Sequence, residues 1–290
     1  MGTRLRPLTE HLPKPLVPVW DQPLIAHAFD HLESVGAREF IVNTHWRAEA
    51  YQAAFPDRAW HGAPITLCHE PVLLETAGGI ANAAPHFRRD HSFWVYNGDI
   101  LCTVDLGRAL LVHKASEALC TLVLRSHGPE CVVAVDASTN EVRDIRNLLG
   151  TGRSLTHQFT GIYLCRPDFL DWLTPGKIES SRTVFVEMIR AGEKVSGVVL
   201  DQGLWLDLGD RRSYLAAHAA LRPDRNLPVF PGVEQRGVCA LSSGATIDPG
   251  AVLEDCVVWA GARVLSDARL SRCVVRTGQL ASGPAADHDF

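Results

Sequence analysis

Over the first two hundred residues, short apolar, β-branched runs alternate with stretches whose apolar positions recur every three to four residues. That alternation is the pattern of an α/β protein, in which strands build a sheet and helices cover it. Leu24, Ile25, Ala28, Phe29, Leu32 and Val35 share one helical stripe and predict a helix over 24–35, ended by Gly36. A strand follows at 40–42, a helix at 47–55, a strand at 65–68 and a helix at 76–84. The apolar run at 93–96 reads as a strand leading into Asn97-Gly98-Asp99. Further strands are predicted at 118–124, 131–135 and 159–164, and further helices at 167–173, 183–191 and 210–221. The expected fold is a Rossmann-like mixed, mostly parallel sheet with flanking helices and an antiparallel portion around 118–165. Ligands of such sheets bind outside the carboxyl ends of the strands, which would set the chain's opening, Asp99 and Asp207 near such edges.

The pattern changes after a proline-containing break at 223–231. Gly-Ala-x-aliphatic recurs at 244–247, 250–253 and 261–264, with a degenerate copy at 267–270. Cys256-Val-Val returns as Cys273-Val-Val seventeen residues on. Spacings of six and about eighteen belong to hexapeptide repeats, three to a coil of a left-handed parallel β-helix. Two coils or so cannot stand alone, so they must pack on the main domain or on another subunit. The predicted organisation is one domain over 1–222, a linker over 223–239, a β-helix over 240–280 and a disordered tail over 281–290. The β-helix suggests a homo-oligomer.

Composition narrows the function. An apolar fraction of 46%, a charged fraction of 21% and a net charge of −5 are those of an ordinary globular protein. Nothing in that balance points to nucleic acid, and a positive field for an anionic ligand has to be local. No apolar run is long enough to span a membrane and no secretory signal opens the chain, so no membrane partner is expected. The eight cysteines are scattered without a C-x-x-C pair, which argues against zinc and for the cytoplasm.

The local positive field is at the opening. Arg4 and Arg6 offer planar forks for phosphate oxygens, Lys14 offers a compact charge between Pro13 and Pro15, and Gly2 permits close approach of a phosphate. A merely exposed basic arm is the alternative. Against it, lysine is scarce here, with four among 28 basic residues, and the segment runs straight into a patterned helix. Asp99 puts a carboxylate at the sheet's edge, unless Asn97-Gly98-Asp99 is only a turn. Asp207 supplies another, unless it caps the helix at 210–221, a task that suits Asp210 better. Two carboxylates with phosphate oxygens and water suit Mg²⁺. In Glu75-Thr-Ala-Gly78-Gly79 the glycines permit close approach to a base or ribose and Glu75 can accept a hydrogen bond. A glycine-softened helix start capped by Thr76 is the alternative.

Gly-Thr-Arg-Leu at 2–5 with Pro-Lys-Pro at 13–15 resembles the signature of the sugar-1-phosphate nucleotidyltransferases, both halves at the family's separation. The resemblance covers roughly 2–222, with a looser match at 240–278, and implies transfer of a nucleotide from a triphosphate to a sugar 1-phosphate with release of pyrophosphate. It implies catalytic roles for Arg4, Lys14 and Asp99, a Mg²⁺ site on Asp99 and Asp207 (the latter in Trp205-x-Asp207-x-Gly209), and nucleotide contacts at Gly2, Thr3, Glu75, Gly78 and Gly79. It further implies sugar contacts at Gly161 and Glu187, with a solvated helix face an equal reading of Glu187. Set on the signature, Met1 falls between the loop's two glycines, so the first strand of the sheet is expected upstream, with Met1 an internal methionine. A truncated, non-catalytic paralogue that binds nucleotide-sugar is the alternative. The family's Glu-Lys-Pro, whose lysine holds the sugar phosphate, is absent; the nearest stretch is Asp144-Ile-Arg146-Asn147. That lack is shared with shorter bacterial relatives acting on N-acetylmuramate 1-phosphate, whereas the repeats resemble those of mannose-1-phosphate guanylyltransferases. The expected substrates are therefore GTP or UTP and a sugar 1-phosphate. Longer hexapeptide β-helices often transfer acyl groups, but this one is short and its only histidine is His288.

Overall fold

The computed structural model describes residues 3–221 and 227–290. Among them are six α-helices: α1 Leu24–Ser34, α2 Ala48–Ala54, α3 Glu75–Ala83, α4 Leu106–Ala115, α5 Ser181–Arg190 and α6 Arg211–Ala220. The chain packs as two units. One, here the sheet unit, is Ala28–Asn97 with Cys102–Trp205; the other, the repeat unit, comprises the described residues of Met1–His27, Gly98–Leu101 and Leu206–Phe290. This partition differs from the expected division at 222, because α6 and the opening segment pack with the repeats.

In the sheet unit the largest sheet has the order Val142–Ile145, Cys131–Val135, His157–Cys165, Cys120–Arg125, Val195–Val199, with Phe93–Tyr96 also on His157–Cys165. Only the pairing of Val195–Val199 with Cys120–Arg125 is parallel; its other pairings are antiparallel. The expectation of a mostly parallel sheet is thus corrected here. The turn at 136–141 is too short for the crossover of a dozen or more residues that a parallel pair requires, so Val142–Ile145 folds back on Cys131–Val135, while His157–Cys165 runs antiparallel to the strands on both its sides. A second sheet pairs Phe40–Thr44 with Ala63–His69 in parallel, and Ala59–Trp60 with Ala63–His69 antiparallel. Among the described residues Phe40–Thr44 and Phe93–Tyr96 each have one strand partner.

The core of this unit follows from its apolar runs. Cys120 through Leu124 are wholly buried, the signature of a strand covered on both faces. Against it α5 inserts Val184, Phe185 and Met188, each 0% exposed, and burying such a side chain contributes about 1.5–3 kcal/mol. Tyr163 meets Phe185 edge to face and bonds Ser181 Oγ through its hydroxyl at 2.6 Å. Among the elements absent from the sequence pattern are α4 and the strands Val142–Ile145 and Val195–Val199. The polar pair Arg143-Asp144 and the glycine in Val-Ser-Gly-Val-Val interrupt the runs that would have announced the strands. The helix expected at 167–173 is a 3₁₀ helix, Pro167–Trp172.

In the repeat unit three parallel sheets stack. They run Glu234–Arg236, Val252–Glu254, Arg269–Ser271, Pro284–Ala286; Ala240–Leu241, Val257–Val258, Val274–Val275; and Thr246–Ile247, Arg263–Val264, Leu280–Ala281. Val257 pairs with Val274, and Arg263 with Leu280, so one rung succeeds another after seventeen residues. Small and branched side chains fill the interior: Leu253, Val264, Cys273, Val275 and Ala281 are all 0% exposed. Residues 281–290, expected as a disordered tail, are ordered. Ala285 and Phe290 pack on this core, Asp289 pairs with Arg211 at 2.6 Å, and Arg276 Nε donates to the Phe290 carbonyl at 2.7 Å. Polar composition hid those partners, which come from segments distant in sequence. The expected linker is partly strand, Glu234–Arg236, while 222–226 lie outside the described residues. Tyr214 of α6 is fully buried; its hydroxyl donates to the Pro18 carbonyl at 2.6 Å and accepts from Trp259 Nε1 at 2.9 Å.

Candidate active site

Within the repeat unit three chain segments bring their charges to one point. Pro13, at φ −57°, leads into the 3₁₀ turn Lys14–Leu16, and Leu16 and Val17 bury beneath it. The turn is thereby anchored by its apolar side, which holds Lys14 toward the two acidic residues. Asp99 precedes the strand Ile100–Cys102, Asp207 ends the strand Trp205–Asp207, and these two strands pair. The Leu208 N–H donates to the Asp99 carbonyl at 3.2 Å, which fixes the two acidic residues side by side.

Lys14 Nζ donates to Asp99 Oδ2 at 2.8 Å and to Asp207 Oδ1 at 3.1 Å. The lysine side chain is 12% exposed, the two carboxylates 41% and 51%. A Cβ at Gly98 would lie 3.4 Å from the ring of Pro15, in ordinary van der Waals contact, so the turn before Asp99 lies close to the lysine turn. Asp99 is therefore more than a turn residue, and Asp207 is not a helix cap. Asp210 caps α6, accepting from the Ser213 N–H at 2.8 Å within a reciprocal capping box. The Ser213 backbone and hydroxyl hold the Asp210 carboxyl below its ordinary range, and the charge of Arg4 adds to this. Arg4 itself is exposed, its guanidinium against Gly209. Asp99 and Asp207 are the carboxylates that could hold a hard cation. Gly2 lies outside the described residues, and Thr3 begins the 3₁₀ turn Thr3–Leu5.

The remaining expected residues belong to the sheet unit. Glu75 is exposed and opens α3 with φ +60°, a left-handed conformation unusual for a non-glycine residue. Gly78 and Gly79 are buried, and the faces where a Cβ would stand are filled by protein. Gly78 abuts the Lys177 carbonyl, Gly79 the side chains of Asn43 and Glu70. The Ala77 and Gly78 N–H groups both donate to the Glu179 carbonyl, at 2.8 and 3.1 Å. Thr76 makes no capping bond. Gly161, at φ +79°, sits where the long strand His157–Cys165 changes register against Cys120–Arg125, and its carbonyl accepts from Asn97 N–H at 3.1 Å. Glu187 is exposed on α5. Arg146 pairs with Glu130. Burial lowers the Arg182 pKa, as does the like charge of Arg146.

Glu70 was not singled out from the sequence. It is 3% exposed, follows the strand Ala63–His69, and accepts from Leu74 N–H at 3.1 Å through one oxygen. A charged residue between an apolar run and Pro71 was its only signal. Among the described residues Asp30, Glu33 and His61 form a group of three that could hold a metal ion, partly exposed in the sheet unit.

Comparison with known proteins shows the family. The family model described as nucleotidyl transferase matches residues 1–223. The chain is 31% identical over 282 residues to a mannose-1-phosphate guanylyltransferase of Mycobacterium tuberculosis, covering 96% of this chain and 77% of the relative. It is 34% identical over 214 residues to an N-acetylmuramate α-1-phosphate uridylyltransferase of Neisseria meningitidis, covering 72% of this chain and 89% of the relative. A UTP-bound UGPase structure from Acinetobacter baumannii shares the fold at a TM-score of 0.62 and 19% identity, over 77% of this chain and 91% of that one. The chain belongs to the nucleotidyl transferase family, among the sugar-1-phosphate nucleotidyltransferases.

Proposed function

We propose that this protein joins a sugar 1-phosphate to a nucleoside triphosphate, giving a nucleotide-sugar and pyrophosphate, with GTP and mannose 1-phosphate as its pair. The likeness to a guanylyltransferase runs through the repeats as well as the catalytic region, over 96% of the chain, and supports that choice. The observation that carries the reaction class is the convergence of Lys14, Asp99 and Asp207 within hydrogen-bond distance. An oxygen of the sugar phosphate attacks the α-phosphorus, the new P–O bond forms, and the bond to the β-phosphate oxygen breaks as pyrophosphate leaves. The nucleophile is already an anion, so the protein need not supply a strong base. Its task is to align two polyanions and offset charge that grows in the transition state.

In this reading Arg4 and Lys14 hold the triphosphate, and Gly2 and Thr3 serve the nucleotide. Asp99 and Asp207 hold Mg²⁺, which supplies charge neutralisation. The donor set fits: both carboxylates are about half exposed and turned to a common cation. Glu75, with Gly78 and Gly79 shaping its turn, serves the nucleotide, and Gly161 and Glu187 serve the sugar. Arg146, with Arg182 beside it, stands in for the missing sugar-phosphate lysine. The three stacked sheets form a short left-handed parallel β-helix through which copies of the chain associate, and the free thiols suit a cytoplasmic protein.

Uridylyl transfer to an N-acetylated sugar 1-phosphate is the second reading, favoured by the 34% identity to the uridylyltransferase and by the absence of Glu-Lys-Pro. Pyrophosphate release measured with GTP, UTP, dTTP and CTP against mannose, glucose and N-acetylated sugar 1-phosphates separates the two. GTP with mannose 1-phosphate is expected to turn over fastest. Lys14→Ala and Asp99→Ala are each expected to lower turnover by about 10²-fold or more. Turnover near that of the parent in either variant would overturn the assignment of the site.

A further inference from the structure

One ammonium already occupies the point where Asp99 and Asp207 converge. Lys14 Nζ takes an oxygen from each, at 2.8 and 3.1 Å, and its side chain is far less exposed than either partner. The turn that carries it is seated against the turn that carries Asp99, through the contact surface between Pro15 and Gly98. Pro13 and Pro15 restrain the backbone, so the ammonium can leave the carboxylates by side-chain rotation alone. A hard divalent cation seeks the same oxygens, and two cations a few ångströms apart repel strongly away from bulk water.

We infer that Lys14 is a tethered competitor for the metal position. It neutralises Asp99 and Asp207 in the nucleotide-free protein, and a divalent cation takes both carboxylates only as the ammonium transfers to the triphosphate. The inference rests on Asp99 and Asp207 being the metal carboxylates. Charge favours the exchange: two carboxylates and one ammonium leave one negative charge, whereas two carboxylates with a dication are neutral and the freed ammonium meets a polyanion. Metal and nucleotide binding are thereby coupled through one side chain, and metal enters with the nucleotide or after it.

Manganese(II) binding to the nucleotide-free protein, followed by the EPR signal of the free ion, tests this without turnover. Lys14→Met is expected to bind Mn²⁺ about tenfold more tightly than the parent, since two partly exposed ion pairs no longer compete. Arg4→Met removes a cation that bonds neither carboxylate and should change the affinity much less. Circular dichroism establishes that each variant is folded. Unchanged or weaker binding by Lys14→Met, or an equal gain in Arg4→Met, overturns the competitor role. Asp99→Asn should abolish the binding; if it does not, the metal assignment itself falls, which is a separate failure.

Discussion

At the scale of single residues, Asp207 and Asp210 show how identical side chains three positions apart take different work. Asp210 satisfies the α6 N-terminus through Ser213, whereas Asp207 faces Lys14. Asp210→Ala should lower stability by about 1 kcal/mol in urea denaturation, the usual cost of a lost N-cap. Asp207→Ala should cost no more than about 0.5 kcal/mol, as an exposed ion pair does, while removing turnover. A reversed order of stabilities would contradict the assignment of the two roles. The sequence distinguished them because Asp210, not Asp207, stands at the start of the helix predicted over 210–221. It could not do the same for Glu70, Gly78 and Gly79. Their surroundings come from Asn43 and the Lys177–Glu179 stretch, and no local spacing encodes such contacts.

At the scale of elements, the long apolar runs announced their strands well, since burial on both faces leaves a continuous hydrophobic signature. Short or interrupted elements escaped, and α4 is the instructive case. It is held partly by polar chemistry: His113 is 2% exposed, and its ring nitrogens bond Thr121 Oγ1 at 2.9 Å and Ser92 Oγ at 3.1 Å. Burial depresses its pKa to about 4, with the charge of Arg166 adding to the effect. The sign follows directly. Unfolded His113 takes up a proton near pH 6.5 while the folded residue resists until about pH 4. Its contribution to stability is complete above pH 6.5 and is lost progressively as pH falls between those values. Thermal unfolding of the parent should therefore weaken across that window, and His113→Gln should show a shallower dependence. An identical pH profile would mean that the buried imidazole is not what titrates.

For the molecule as a whole, the repeats were legible because their seventeen-residue period is written in glycines, cysteines and valines. The partition into units was not, because the repeat unit is assembled from three separate stretches. Tyr214 joins the first of these stretches to the last, bonded to Pro18 in the opening segment and to Trp259 in the repeats. Trp259→Phe keeps most of the apolar bulk and removes the indole donor, so it should cost about 1 kcal/mol, seen as a lower midpoint in urea. Trp259→Ala should cost about 3–5 kcal/mol through the cavity it leaves. Equal losses in the two variants would mean that the hydrogen bond, not the packing, supports the joint.

Lys14 and Asp207 lie 193 positions apart. On the ribosome the lysine emerges 193 residues ahead of its second carboxylate. Helices and hairpins between them can form locally in the meantime, but the three charges meet only after the longest loop closure among them. A nascent chain stalled before Asp207 would carry the family's signature and still lack its chemistry.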